Sequence, residues 1–481
     1  MDLLRTTAKG IAWTTVSTVV RSVVSLLQVA ILTRFLPKSD FGIVAIANLF
    51  LGFTQIFMDL GISAGILHRN DTTRGQYSSL FWLNVMTGTL LTAVLCLLAP
   101  VVATIYGEPQ LAAILALMSL SVFFSSLGSQ HRTVQQKNMR FKYIALVEIA
   151  SSLLSLALAA ILAVKGAGIY SLVLANLFHA ASMGIMFLVI GLAKDKNITF
   201  HFSLSETRDY LKIGVYSIGS QVLDYFSREL DILIISATLG KDTVGLYSLC
   251  KKLVLSVYGA VTPIVSRVIT PVLALIQEQK ERVHRLYLDI TQTLALVNMP
   301  VYCLIAVFSL GILNFLYGSQ YVDGAPLLIF LALNYGVSST GNPVGSLQIA
   351  MGRTDLGLYW TICRIVLTAA ALFAGSFFGI NAIAFGVLAV SVLSNPLFWR
   401  VTISPMTGGR YGEYFSNSLL VCLAVTVFSL PFWLLFGKLT SVWLCLLIGV
   451  LYAAVYVLLV LLVFPRSYVV RKALDTWHKD R

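Results

Sequence analysis

Charged residues are scarce in this sequence: they make up 11% of its 481 residues, whereas 58% of the residues are hydrophobic. A soluble domain carries about 25% charged residues because it has to cover a surface that faces water. Acids are the scarcer kind, with 21 Asp and Glu against 34 Lys and Arg, and the formal net charge is +13. The shortage excludes an ordinary soluble protein and predicts a membrane protein.

The sequence also lacks the common motifs of enzymes and metal sites. It contains no phosphate-binding loop of the form GxxxxGK[ST] and no HExxH pair. Its six cysteines fall within predicted helices and have neither metal-ligand spacing nor a loop disulfide pattern. We therefore expect no enzyme activity, no cofactor and no metal site.

Long apolar runs take the place of these motifs. The run 416–437 contains no charged residue, and barrel strands would instead alternate polar and apolar residues. A helix needs about 20 apolar residues to cross about 30 Å of hydrocarbon. The pattern predicts fourteen crossings, at about 10–34, 41–65, 77–105, 109–130, 143–164, 169–192, 212–239, 244–276, 286–316, 326–350, 355–378, 381–399, 416–437 and 440–464.

The basic residues predict the orientation of these crossings. If the N-terminus is cytoplasmic, 23 of the 34 Lys and Arg lie at cytoplasmic ends and loops, and four lie in the opposite loops. This asymmetry follows the positive-inside rule and places both termini in the cytoplasm. We attribute the net charge to topology and to contact with anionic membrane lipids, not to nucleic acid.

Two short segments of similar sequence indicate an internal repeat. Leu36–Gly42 and Leu239–Gly245 have similar turn sequences 203 residues apart, and each is followed by a helix. Because helices one and seven run in the same direction, the halves would be parallel repeats around an axis along the membrane normal. The alternative is coincidence, since such turn chemistry is common.

We therefore predict an all-α polytopic membrane protein with two six-helix lobes and two C-terminal helices. The predicted parts are an N-terminal lobe at 1–195, a cytoplasmic amphipathic linker at 196–211, a C-terminal lobe at 212–400, and two helices with a basic tail at 401–481. Ser203 and Glu206 have the spacing of a capping box at the start of a helix, although a flexible linker fits equally. Gly341–Gly345, which contains Pro343, is an expected bending point.

Basic residues within the predicted crossings are candidates for binding a substrate. Ionisable groups inside a membrane are costly and usually face a wet cavity or a partner. Arg21 lies about 16 Å along the first helix and Arg364 about 14 Å along the eleventh, both near the midplane. With Lys251 and Arg267 of the eighth helix they predict a positive cavity for an anionic headgroup such as pyrophosphate.

A purely structural alternative is an ion pair between Arg21 and Asp224, which the 203-residue offset relates to each other. Asp224 and Arg228 also have the spacing of an ion pair within one helix. Asp59 and Glu148 lie toward the cytoplasmic ends of helices two and five. We expect these four residues to serve coupling or gating, or else a structural role.

Several short segments resemble the polysaccharide exporters of the MOP flippase superfamily, in their order and spacing from about residue 3 to 465. The closest likeness is to the branch that includes the colanic-acid exporter. The segments are Phe41–Ala45, Asp59–Ser63, Ser79–Asn84, Gln135–Lys142, Gly245–Tyr247, Leu316–Gly318 with Tyr321, and Met351–Asp355.

The resemblance implies a two-lobed, V-shaped bundle of twelve core helices plus two, like that of multidrug and toxin extrusion (MATE) transporters. It also implies a flippase that moves undecaprenyl-pyrophosphate-linked oligosaccharide across the cytoplasmic membrane by alternating access. Relatives use arginines of the first and eighth helices to hold the headgroup; Arg21 matches this pattern, and Arg267 matches it loosely. A polysaccharide polymerase and glycosyltransferases would be its partners. The alternatives are a multidrug or cation exporter, a lipid II flippase, or a non-transporting scaffold for glycosyltransferases.

Overall fold

A computed structural model describes residues 2–69, 71–194 and 199–463. These residues form α-helices, short 3₁₀- and π-helical segments and connecting turns, with no strand among them. The prediction of an all-α membrane protein is confirmed. The predicted basic tail after Pro465 and the linker residues 195–198 lie outside the described residues.

The chain divides into two compact units, of which the first is Met1–Ser248. Its helices are α1 (Asp2–Leu32), α2 (Lys38–Met58), α3 (Ile62–His68), α4 (Arg74–Tyr106), α5 (Pro109–Lys137), α6 (Phe141–Val164), α7 (Ile169–Lys194), α8 (Leu204–Thr238) and the start of α9 (Lys241–Leu275). In this unit α1 packs on α6, α4 on α5, α5 on α7, and α2 on both α5 and α8. Unit 1 extends past the predicted end of the first lobe at 195, and the predicted division into lobes remains a prediction.

The second unit, Leu249–Arg481, contains the rest of α9 and eleven further helices. The helices are α10 (Lys280–Val307), α11 (Ser309–Leu316), α12 (Ala325–Ser339), α13 (Pro343–Ala350), α14 (Thr354–Ser376), α15 (Ile380–Leu393), α16 (Asn395–Phe398), α17 (Ser404–Thr407), α18 (Tyr411–Tyr414), α19 (Leu420–Phe436) and α20 (Val442–Val463). A 3₁₀ segment covers Ser319–Gly324, and π-helical segments cover Trp399–Ile403 and Phe415–Leu419. Here α10 packs on α12 and α19, and α14 packs on α15.

Within the described ranges, eleven helical stretches are long and apolar enough to span a membrane, or twelve if the bent pair Ile380–Leu393 and Asn395–Thr407 counts as one. They correspond one for one to twelve of the fourteen predicted crossings. The other two predicted crossings are α8 and α9, each of 35 residues. α8 carries four charged residues between 221 and 238, and its place as a crossing remains a prediction.

The two similar segments, Leu36–Gly42 and Leu239–Gly245, contact each other at the starts of α2 and α9. A Cβ atom on Gly42 would overlap the carbonyl of Lys241, and one on Gly245 would overlap the carbonyl of Lys38. The 203-residue offset converts Lys38 into Lys241 and Gly42 into Gly245, so the contact is reciprocal. Two segments that are related by a local two-fold axis make such reciprocal contacts. The contact therefore supports the predicted parallel repeat.

Two local predictions about helix ends have different outcomes. The helix break expected at Gly341–Gly345 is present, since α12 ends at Ser339 and α13 begins at Pro343. The capping box is wrong: Ser203 precedes α8, but its side chain makes no capping hydrogen bond. The Glu206 carboxylate instead accepts a hydrogen bond from Ser79 Oγ at 2.7 Å and lies 3.2 Å from His201 Nε2.

Candidate functional site

A buried carboxylate lies at the centre of a charged cluster in unit 1. Glu148 of α6 is 4% exposed, although it lies within an apolar helix. Its Oε1 accepts hydrogen bonds from Nη2 and Nε of Arg132 at 2.9 and 3.3 Å. Its Oε2 lies 3.1 Å from Nη1 of Arg21 and accepts a hydrogen bond from Ser17 Oγ at 3.3 Å. Three helices thus supply charge to one site.

The fold brings these side chains together in two ways. Ser17 and Arg21 are four residues apart and share one face of α1, which packs on α6. Arg132 and Glu148 are each eight residues from Arg140, where α5 turns back into α6. Met139 in this turn has a φ of 56°, and the reversal places Arg132 opposite Glu148.

The cluster contains two cations and one anion. Burying an ion within a membrane is costly unless the ion is paired, and both carboxylate oxygens of Glu148 are occupied. The two arginine side chains are 43% and 44% exposed, so their remaining N–H donors are accessible. Within the described part of the chain, neither guanidinium forms an ion pair with a second acid. The site therefore presents a net positive charge to an incoming ligand.

Arg21, predicted from the sequence, lies at this site, but its partner was not anticipated. The suggested pair of Arg21 with Asp224 is wrong, because the structure pairs Arg21 with Glu148. The predicted pair of Asp224 with Arg228 is confirmed as an exposed ion pair within α8. Roles for these residues in coupling or gating remain predictions.

Asp59 lies at a helix junction. Its Oδ1 accepts a hydrogen bond from Ser63 Oγ at 2.6 Å, and its Oδ2 accepts one from the Ser63 backbone N–H at 3.2 Å. Leu60 and Gly61 between them have positive φ angles, which turn the chain from α2 into α3. Asp59 thus stabilises this turn, and the Ser63 hydroxyl continues the contact to Thr133 of α5 at 2.8 Å.

The remaining predicted basic residues belong to unit 2. Arg364 lies on the exposed surface of α14, and Lys251 of α9 is 4% exposed. The side chain of Arg267 lies outside the described residues. A role for these three residues in substrate binding remains a prediction.

Sequence reasoning missed Arg132 and Ser17. In the sequence Arg132 follows the predicted fourth crossing at 109–130, and a basic residue in that position is usually interpreted as a marker of the cytoplasmic side. Two features could have identified it: Glu148 is the one acid inside the predicted fifth crossing, and Arg132 lies at equal spacing across the turn. Ser17 gives no such signal in the sequence. Among the described residues no group of three or more His, Cys, Asp or Glu side chains could hold a metal ion.

Comparison with known proteins identifies the class. The fold is that of the solved structure of the lipid II flippase MurJ in an inward closed conformation, with a TM-score of 0.76, 14% identity, and coverage of 95% of this chain and 100% of that one. A family model described as "Polysaccharide biosynthesis protein" matches residues 31–326. The chain belongs to this family.

Two curated relatives agree. The teichuronic acid biosynthesis protein TuaB of Bacillus subtilis (strain 168) is 26% identical over 85% of this chain and 84% of its own length. The lipopolysaccharide biosynthesis protein WzxC of Escherichia coli (strain K12) is 25% identical over 86% of this chain and 84% of its own length. The resemblance to polysaccharide exporters of the MOP flippase superfamily is confirmed, and the chain is a multi-pass inner-membrane protein with an exporter or flippase role in polysaccharide biosynthesis.

Proposed function

We propose that this protein flips an oligosaccharide linked to undecaprenyl pyrophosphate from the cytoplasmic to the periplasmic leaflet by alternating access. Arg21 and Arg132 bind the pyrophosphate, and Glu148 holds both guanidinium groups in place. The N-terminus and the C-terminus lie in the cytoplasm, as the distribution of basic residues predicts. Glycosyltransferases act before the transfer, and a polysaccharide polymerase acts after it.

One observation supports the proposal above the others: two half-exposed arginines share a single buried carboxylate. A guanidinium has five N–H donors in a planar fork, which matches the oxygens of a phosphate group. Glu148 uses one edge of each arginine and leaves other donors accessible. A phosphate can therefore bind without first displacing the carboxylate.

The position of the cluster suits loading from the cytoplasm. Glu148 lies seven residues after the start of α6, which corresponds to about 10 Å along the helix. The turn that precedes α6 contains Arg140 and is cytoplasmic in the proposed orientation. A headgroup that enters from that side meets the two arginines within the first part of the membrane. A cation exporter would need the opposite sign of charge at this point.

The proposal is tested by replacing the arginines in a strain in which export of surface polysaccharide depends on this protein. Removing one charge-assisted contact lowers affinity about 10- to 100-fold, because such a contact contributes about 1.5–3 kcal/mol. We expect Arg21→Gln and Arg132→Gln each to lower surface polysaccharide at least tenfold, and Arg21→Glu to abolish it. Membrane levels of each variant are measured alongside export.

The matched control is Arg285→Gln, which removes an arginine from an exposed ion pair with Glu281 of α10. It is expected to leave export unchanged. Arg364→Glu tests separately whether unit 2 contributes to headgroup binding. Full export by Arg21→Glu at normal protein levels would contradict the proposal.

A further inference from the structure

Unit 1 contains a cavity of about 290 Å³ between α2, α5 and α7. Half of the residues that line it have polar side chains other than those of Asp, Glu, Lys and Arg. Leu51, Met118, Leu177 and Met183 supply most of the apolar part. The polar side chains are those of Asn48, Gln55, Ser121, Ser125, Asn176 and His179.

The three amide side chains of this cavity have unused hydrogen-bonding capacity. Within the described residues, the side chains of Asn48, Gln55 and Asn176 make no hydrogen bond to the protein, although neighbouring polar side chains such as Thr54 do. Each amide offers two donors and one acceptor oxygen. Inside a membrane such groups need water or a ligand as partner, because hydrocarbon supplies none. The cavity is therefore suited to a polar ligand.

The lining also restricts the kind of ligand. With no Asp, Glu, Lys or Arg side chain in the wall, a small ion would lack a counter-charge. Hydroxyl groups of a sugar are both donors and acceptors, which amides and serine hydroxyls match, and the C–H faces of a sugar ring pack on apolar walls. Leu51 and Leu177 supply such walls.

The cavity adjoins the charged cluster through His179. This residue lines the cavity and interacts electrostatically with both Arg21 and Glu148. The packing of α6 on α7, and of α1 on α6, places the charged cluster next to the helix that lines the cavity. Because α7 supplies both His179 and Asn176, one helix joins the two sites.

We infer that this cavity is a carbohydrate subsite, which binds an uncharged sugar residue of the lipid-linked oligosaccharide while Arg21 and Arg132 bind its pyrophosphate. The inference rests on the proposed function and adds a second element of recognition to it. It predicts that the protein distinguishes a glycosylated lipid from the same lipid without sugar, and that the discrimination depends on the amides of α2 and α7.

The test measures binding of two lipids to purified protein by native mass spectrometry. One probe is undecaprenyl pyrophosphate, and the other is the undecaprenyl-pyrophosphate oligosaccharide extracted from membranes of the source strain. Asn176→Leu and Gln55→Leu replace each amide with an apolar side chain and so remove the hydrogen-bonding groups. We expect each to weaken binding of the glycosylated lipid about tenfold and to leave binding of undecaprenyl pyrophosphate unchanged. Met86→Leu, a volume-conserving change at a 55% exposed position of α4 outside the cavity, is the matched control and should alter neither.

The outcomes separate the two proposals. If wild-type protein binds both probes equally, or if the leucine variants bind the glycosylated lipid as wild type does, the carbohydrate subsite is wrong. Equal weakening of both probes by the leucine variants would also overturn it, because the cavity would then serve only the structure. If wild-type protein binds neither probe, the proposed function itself fails.

Discussion

The two units use their interiors differently. Unit 1 buries a carboxylate between two arginines, whereas unit 2 contains a buried aromatic cluster between α10 and the segments around Trp399 and Tyr414. Aromatic rings stabilise a fold through packing and need no ionic partner. A buried ion pair is weak evidence for stability, because the cost of desolvation offsets the attraction between the charges. Under the proposed function, the charged cluster of unit 1 binds the headgroup, and the aromatic cluster of unit 2 serves the fold.

The aromatic cluster of unit 2 is held together by ring contacts and hydrogen bonds. The rings of Trp399 and Tyr414 stack with centroids 4.9 Å apart, and His284 lies edge-on to Trp399 at 5.9 Å. The indole N–H of Trp399 donates to the carbonyl of Gly409 at 3.3 Å. His284 also lies 2.7 Å from a carboxylate oxygen of Glu413. These contacts fix the bent region after α15.

The largest expected effect on stability comes from Trp399→Ala. Removing a buried tryptophan usually costs about 3–5 kcal/mol, and Trp399 is 3% exposed. We expect a clear fall in the thermal unfolding temperature of the purified protein. Trp443→Ala in α20 is the control, since Trp443 is 82% exposed. Equal melting temperatures for wild type and Trp399→Ala would refute the structural importance of the cluster.

Glu148→Gln is expected to have the next largest effect. The change leaves Arg21 and Arg132 close together without their shared acid, and we expect a loss of about 2 kcal/mol because both arginines are partly solvated. Glu281→Gln, in an exposed pair, should cost less than about 0.5 kcal/mol. The melting temperatures of both variants are measured by thermal unfolding in detergent. Equal decreases for the two variants would show that the Glu148 cluster contributes no more to stability than an exposed ion pair.

Gly42→Ala and Gly245→Ala test the reciprocal contact between α2 and α9. In each variant the new Cβ meets a backbone carbonyl that cannot move as a side chain can. We expect each to lose about 1–2 kcal/mol, and the two losses should be similar because the contact is symmetric. Gly219→Ala in α8, where the Cβ meets open space, should be neutral or slightly stabilising. A neutral result for either contact variant would disprove the close approach.

Glu206→Gln is expected to have the smallest effect. Hydrogen bonds from Ser79 and then His201 hold the pKa of Glu206 below its ordinary value of 4.5. A lowered pKa means that the carboxylate stabilises the folded linker above about pH 4.5 and loses this effect as the pH falls through the folded pKa. At pH 7 limited proteolysis should cut residues 199–206 a few-fold faster in Glu206→Gln than in wild type. Wild type should approach the variant as the pH falls further below 4.5, and cleavage that does not change with the variant or with pH would rule out this role.

Much of the fold could be predicted from the sequence, because apolar length and the positions of basic residues depend on local composition. The break before Pro343 and the pair of Asp224 with Arg228 are local as well, and both are confirmed. The pair of Arg21 with Glu148 joins residues 127 positions apart, and periodicity does not specify which helices pack. The capping box failed for a similar reason, since a distant hydroxyl, that of Ser79, binds Glu206 in place of the local backbone.

Transport in reconstituted vesicles tests the central claim most directly. Purified protein is placed in liposomes with undecaprenyl-pyrophosphate oligosaccharide confined to the inner leaflet, and a sugar-modifying enzyme outside reports its arrival. We predict rapid arrival with wild-type protein and with Arg285→Gln, and no arrival above empty liposomes with the double variant Arg21→Gln/Arg132→Gln. Arrival at the wild-type rate with the double variant, or no arrival with wild type, would contradict the account.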